Sequence, residues 1–295
     1  MRIDRLFYVF FLSIAFLGAP VVEAQTLIGV SGDGSTTPET LFQINQTTAS
    51  ETFVMSLGNG NDGEAIAFNP VDSLMYHSSG ISDGDRFWES VNLGATTIIF
   101  SGQFTGGPEV DDETLAMAYN PATGRFLVSD RNENFYDTTL GGVATTLGLN
   151  TTPDTLKGIV FVGGTLYGVQ RGTDDLHTIN PANGSSTGTT TVTLAGFTVD
   201  GFTGLTAHPT TNVLYAVMKT PGARQLVTIN PTTGVATLIG TLNERFSSIA
   251  FADFSLAPPA GPVDVPTLSE WGIIIGVFLM GGVLLLYRRE QPALL

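Results

Sequence analysis

Four stretches of this chain repeat one pattern, an apolar strand, a tight turn and a second apolar strand. They read EAIAFNPVDSLMYHSS from Glu64, LAMAYNPATGRFLVSD from Leu115, KGIVFVGGTLYGVQRG from Lys157 and TGLTAHPTTNVLYAVMK from Thr203. Aligned on Phe68, Tyr119, Phe161 and Ala207, they recur at intervals of 51, 42 and 46 residues. A unit of that length holds a few short antiparallel strands, which cannot bury both faces of their sheet alone, so successive units must pack on one another. The intervals are those of β-propeller blades.

The rest of each unit supplies a third and a fourth strand, clearest in QLVTINPTTGVATLIGTL (Gln225 to Leu242) and DLHTINPANGSSTGTTTVTL (Asp175 to Leu194). Alternation and β-branched residues mark the strands, and the NPTTG and NPANG segments place Pro and Gly where tight turns require them. The unit from Leu115 to Asp154 has a degenerate second half. The two ends of the region are complementary. SSIAFAD (Ser247 to Asp253) matches a first strand, with Phe251 lying 44 residues after Ala207, and no second or third strand follows it. TLIGVSGDG from Thr26, then LFQIN and ETFVMSL, match the missing second, third and fourth. The expectation is an all-β propeller over residues 25–254, its five blades closed by N- and C-terminal strands sharing one sheet. A six-bladed ring or a β-solenoid has similar strand content. Through LYAV, LYGV and TINPTTG the repeat resembles the YVTN type of propeller, which implies a bacterial or archaeal surface protein.

The two termini address the chain. Arg2 and Arg5 precede an apolar run from Leu6 to Leu17, and Val22-Glu23-Ala24 ends it with a small residue, so residues 1–24 read as a signal peptide cleaved between Ala24 and Gln25. Residues 255–264, SLAPPAGPVD, form a proline-rich stalk. At the polyproline rise it reaches on the order of 30 Å. Beyond it lies VPTLSEWG, comprising Val265, Pro266, Thr267, Leu268, Ser269, Glu270, Trp271 and Gly272, then an apolar run from Ile273 to Leu286, then Tyr287, Arg288 and Arg289. That run, counted from Trp271 to Tyr287, is near the lower limit for a transmembrane helix, and the arginine pair orients its end to the cytoplasm. The motif, short membrane helix and arginine cluster resemble an IPTL-type C-terminal sorting signal, with Val265 in place of the usual Ile. The resemblance implies a Gram-negative host and an exosortase-like processing enzyme as partner. The precursor would then be a single-pass protein of the inner membrane, and the product would reside in the envelope, at the cell surface or in the extracellular matrix.

The chain has no cysteine, so packing alone stabilises the exported domain. Its formal net charge is −15, and the signal and tail are each balanced, so the excess lies on the domain. Such a charge argues against nucleic acid and anionic lipid as partners and serves solubility or cation attraction.

No catalytic signature stands out. The three histidines, His77, His177 and His208, lack partners at metal-ligand spacing, and His208-Pro209 fills a turn slot that holds Asn-Pro elsewhere. No cofactor is expected, Ca²⁺ apart. In a propeller, the loops entering first strands and those joining second to third strands share one face, the top, and most acidic residues fall there. Asp62, Asp112, Asp154, Asp200 and Glu244 recur six or seven positions before the aligned residues, so a ring of carboxylates around the channel mouth is one reading. Ion pairs with Arg131, Arg171 and Lys219 are the other. Asp62, Glu64, Asp83 and Asp85 are the best Ca²⁺ candidates, because their blade has no basic residue at the Arg131 position. The function expected is that of a surface module for binding or structure. A lactonase-like propeller hydrolase and a passive coat component are its rivals.

The terminal signals predict a mature protein that starts near Gln25 and lacks the segment beyond Trp271. Intact-mass measurement of native envelope material checks this, and a stable full-length precursor would contradict it.

Overall fold

The computed structural model describes residues 25–32, 34–58, 65–79, 86–107, 113–149 and 155–253. The strands are β1 (Gln25–Ser31), β2 (Thr40–Ile44), β3 (Glu51–Ser56), β4 (Ala65–Asn69), β5 (Leu74–Ser78), β6 (Phe87–Asn92) and β7 (Thr97–Gln103). They continue as β8 (Thr114–Asn120), β9 (Arg125–Asp130), β10 (Asn134–Thr138), β11 (Ala144–Leu149), β12 (Leu156–Val162), β13 (Thr165–Gln170) and β14 (Asp175–Ile179). The last are β15 (Ser186–Thr191), β16 (Thr193–Leu194), β17 (Phe202–Ala207), β18 (Leu214–Thr220), β19 (Ala223–Ile229), β20 (Val235–Leu242) and β21 (Phe246–Asp253).

They form five sheets, β4-β5-β6-β7, β8-β9-β10-β11, β12-β13-β14-β15, β17-β18-β19-β20 with β16 on its outer edge, and β21-β1-β2-β3. These are the five blades of a propeller. The fifth is closed as its complementary ends predict. β21 pairs antiparallel with β1, from Gln25↔Asp253 to Val30↔Ser248. The first strands touch in sequence, β4 to β8, β12, β17, β21 and back to β4, around a central channel. The half-blade read as degenerate supplies the antiparallel pair β10 and β11, with a bulge between Phe135 and Tyr136. Among the described residues there is no helix, and none long and apolar enough to cross a membrane. The expected signal, stalk and transmembrane segment lie outside the described residues, apart from Gln25.

The five inner strands share one physical design. Leu115, Lys157, Thr203 and Ser247 are each an extra residue in a β-bulge. The residue after the bulge is small: Ala116, Gly158, Gly204 and Ser248, with Ala65 at the same place in β4. Here neighbouring inner strands come closest. A Cβ on Gly158 would stand 2.4 Å from the backbone nitrogen of Leu205, and one on Gly204 would stand 3.1 Å from that of Ile249. At the next junction the Ser248 Oγ accepts a hydrogen bond from the Ile66 N–H at 3.2 Å. Small residues on one strand thus receive large ones from the next. Ala65 and Ala67 pack with Met117 and Tyr119, and Ala116 and Ala118 with Ile159 and Phe161.

At the rim, the segment leaving the fourth strand of one blade is stitched to the fourth strand of the next. The Thr105 N–H donates to the Gly142 carbonyl at 2.9 Å, and the Thr193 N–H donates to the Gly234 carbonyl at 2.9 Å. Between the blades of β20 and β3, the Glu51 carboxylate accepts the Asn243 N–H at 2.7 Å instead.

Gly158→Ala is predicted to destabilise the domain by about 1–3 kcal/mol, because the new methyl group meets backbone that cannot rotate away. Urea unfolding measures this, with Gly94→Ala as an exposed control expected to stay within about 0.5 kcal/mol. Equal midpoints for the two variants would refute the close-approach account.

Candidate functional site

The inner strands β4, β8, β12 and β17 each lead into a short turn, and the turn chemistry comes from the sequence. The side chains of Asn69, Asn120, Asn180 and Asn230, each followed by Pro, accept the N–H of the residue two places on at 2.9–3.0 Å. His208 does the same work with Nδ1, which accepts from the Thr210 and Thr211 N–H groups at 3.3 Å each. The turn role expected of His208 is therefore the one it has. Its neutral ring consequently carries the proton on Nε2.

The turns after β4, β8 and β17 border a cavity of about 430 Å³ that all five inner strands line. Its inner ring is Ile66, Met117, Ile159, Leu205 and Ile249, none more than 4% exposed. The ring nearer the mouth is Phe68, Tyr119, Phe161, Ala207 and Phe251, the positions on which the repeats align. Four of the five are aromatic, and Ala207 leaves a gap between Phe161 and Phe251. Polar groups at the rim are Gln25, His208, Asn212 and Asp253. His208 stacks obliquely on Phe251 with ring centroids 5.0 Å apart, and Tyr215 meets Phe251 edge-on at 5.2 Å. Burial raises the Tyr215 hydroxyl pKa above its ordinary value. An apolar, aromatic-lined cleft of this size with a few polar groups at its mouth is the usual form of a small-molecule site.

The acidic upper face is more committed than its sequence suggested. Asp130 is almost fully buried and accepts hydrogen bonds from the Asn132 and Asn134 N–H groups, the Asn134 side-chain amide and the Tyr136 hydroxyl. Arg131 pairs with Glu113 at 2.6 Å. Asp112, the partner expected for Arg131, lies outside the described residues, as does Asp154, expected for Arg171. Asp200 meets Lys219 through its backbone N–H, which donates to the Lys219 carbonyl at 2.9 Å, and the two side chains form no ion pair. Glu244 accepts the Thr36 N–H at 2.9 Å and the Thr37 hydroxyl at 3.2 Å. On the lower face, Asp72 accepts the Leu74 N–H at 3.0 Å and the Tyr76 hydroxyl at 2.7 Å.

The Ca²⁺ candidates Asp62, Glu64, Asp83 and Asp85 lie outside the described residues, as do Ala24, the eight residues of the sorting motif, Arg288 and Arg289. Gln25 opens β1, and its side-chain amide donates to Asp253. Among the described residues no group of three or more His, Cys, Asp or Glu is placed to hold a metal ion. The structure separates the three histidines. His77 is buried within its blade, its Nδ1 3.3 Å from Glu89, which also accepts the Ser101 hydroxyl at 2.9 Å. His177 is buried in another blade, with Nδ1 3.1 Å from the Ser186 hydroxyl and 3.2 Å from that of Thr189, while its Nε2 has no partner. The cavity was missed in the sequence because its wall is made of hydrophobic repeat positions. The aromatic character of the aligned column was the available signal.

A protein-family profile described as "Repeat of unknown function (DUF6923)" matches residues 30–204. Curated protein sequences include no match. Among solved structures, a chain of the crystal structure of a nidogen/laminin complex is similar with a TM-score of 0.50 at 14% identity, covering 78% of this chain and 98% of that one. The glutaminyl cyclase of Myxococcus xanthus is similar with a TM-score of 0.45 at 16% identity, covering 65% of this chain and 83% of that one. Hydrazine synthase of Kuenenia stuttgartiensis follows with a TM-score of 0.40 at 16% identity, covering 62% and 48%. At such identities the likeness concerns the fold alone.

Burial holds the pKa of His177 below its ordinary value, although the charge of Asp175 acts upward. Unfolding releases this restraint, so the unfolded chain takes up a proton near pH 6.5 that the folded chain refuses. The contribution is present above about pH 6.5 and is lost as pH falls toward the folded value. The urea midpoint of the wild type should therefore fall more between about pH 7.5 and 5.5 than that of His177→Asn. Parallel pH profiles would show that His177 does not titrate on unfolding.

Proposed function

Because this chain belongs to the DUF6923 repeat family, whose description leaves its activity open, we propose that it is an exported envelope protein that binds a small amphipathic ligand. The ligand enters the lower mouth of the channel. One observation carries this reading, the cavity of about 430 Å³ ringed by Phe68, Tyr119, Phe161 and Phe251. Packing and closure require the large residues of the inner ring, but they do not require an aromatic collar around an open mouth. Aromatic faces cover the apolar side of a ligand, and Gln25, His208, Asn212 and Asp253 meet its polar end. Export rests on the signal peptide ending at Ala24. Retention and processing rest on the motif from Val265 to Gly272, the transmembrane helix that follows it, and Arg288 with Arg289.

The neutral fluorescent probe N-phenyl-1-naphthylamine tests the site. Full-length protein is expected to bind it saturably at one site. Ala207→Trp, which fills the gap in the collar, should weaken binding roughly tenfold, a difference of about 1.4 kcal/mol, with little change in melting temperature. Absence of saturable binding, or binding that Ala207→Trp leaves intact, would favour a passive coat component instead.

A further inference from the structure

On the upper face, opposite the cavity, the chain gathers positive charge despite its net −15. Lys219 and Arg224 are directly opposed across the β18–β19 ladder. Like charges in such a pair repel and weaken a sheet. Arg245, in the connection from β20 to β21, lies close enough for its charge to act on Arg224. Burial first, and the Arg245 charge second, push the Arg224 pKa down to about 10.

Two arginines of another blade are neutralised by acids. Arg125 pairs with Asp137 and Arg131 with Glu113, both at 2.6 Å. Among the described residues no acid pairs with Lys219, Arg224 or Arg245. Among the described residues, the carboxylates next to Arg245 in the fold are otherwise engaged, Glu244 by Thr36 and Thr37, and Glu51 by the Asn243 and Glu244 N–H groups. Asp200 touches Lys219 through backbone alone. Meanwhile the Nη1 of Arg224 is buried and has no hydrogen-bond acceptor among the described residues. A buried charged donor without a protein acceptor is costly unless a water or a ligand supplies an oxygen atom there.

The cluster is also held in position. The Arg245 carbonyl accepts the Gly32 N–H at 3.0 Å and the Ser35 hydroxyl at 3.2 Å, and the Arg245 N–H donates to Ser35 Oγ at 3.1 Å. The guanidinium lies against Gly34, where a Cβ would come within 2.7 Å of Nη1. Gly34 has a φ of +72°, so the loop conformation and the space for Arg245 both favour glycine.

We propose that Lys219, Arg224 and Arg245 form a binding site for a single oxyanion, a phosphate or carboxylate group. Guanidinium forks match the paired oxygens of such groups, and an ammonium adds a point charge beside them. A long polyanion is disfavoured, because the rest of so acidic a molecule repels it. The occupant is therefore an isolated anionic group on a small molecule or on a sparsely charged polymer.

Inorganic phosphate and sodium glucuronate, added to full-length protein, test this by calorimetry and thermal unfolding against potassium chloride at equal ionic strength. At least one of the two should bind with measurable heat and raise the melting temperature beyond the chloride control. Arg224→Gln and the exposed Arg245→Gln should each weaken that binding roughly tenfold. Arg171→Gln, the same charge loss on the adjoining blade, should leave it unchanged. A chloride effect equal to that of phosphate and glucuronate would reduce the cluster to charge screening and overturn the proposal. So would an equal loss in Arg171→Gln, or undiminished binding in Arg245→Gln.

Discussion

The ladder between β1 and β21 closes the ring, and the rest of the structure depends on it. It joins residues more than two hundred positions apart, from Gln25↔Asp253 to Val30↔Ser248. Without it, β1 and β21 would each present an unpaired edge, and the first and last blades would lose their common partner. Closure also fixes how far the inner strands stand from the axis. Five of them meeting in a ring can touch only if each offers its neighbour a residue with little or no side chain. The sequence supplies Ala65, Ala116, Gly158, Gly204 and Ser248 there.

The same geometry makes the cavity. Side chains alternate along a strand, so if one position must be small to admit the adjoining blade, its neighbours are left to point the other way. Those neighbours are the large residues of the inner ring and the collar. Blade packing thus plugs the channel with the inner ring and leaves its lower mouth open, while the aromatic character of the collar there is an addition that packing does not demand. Ala207 matters in this context because it interrupts the collar.

Charge follows a different logic. Asp130, Glu113, Glu244 and Asp72 are engaged by backbone N–H groups, hydroxyls or an arginine, so these acids serve turn and loop chemistry. Carboxylates accept several hydrogen bonds at once, which suits them to loops whose N–H groups have no strand partner. Cations have no such use in these turns. A group of three with no ion-pair partner among the described residues is consequently more informative than a larger number of acids.

The sequence by itself determined the repeat, its strand content and the shared blade, because strand alternation and Asn-Pro turns are local and because complementary ends leave one way to complete a sheet. It also determined the turn role of His208, since the slot is local and Asn fills it elsewhere. The blade from Leu115 was legible only in its first half, because the pairing of β10 with β11 relies on Asp130 and on contacts with the adjoining blade. Tertiary structure alone decided where the sites lie. Phe68, Tyr119, Phe161 and Phe251 are 42 or more residues apart and become one collar only when the ring closes. Arg131 pairs with Glu113 because the residue entering β8 and the residue leaving β9 meet there, the Arg131 N–H also donating to the Glu113 carbonyl. Arg224 and Arg245 are brought together by the β19–β20 hairpin and the return to β21, a proximity that no spacing in the chain announces.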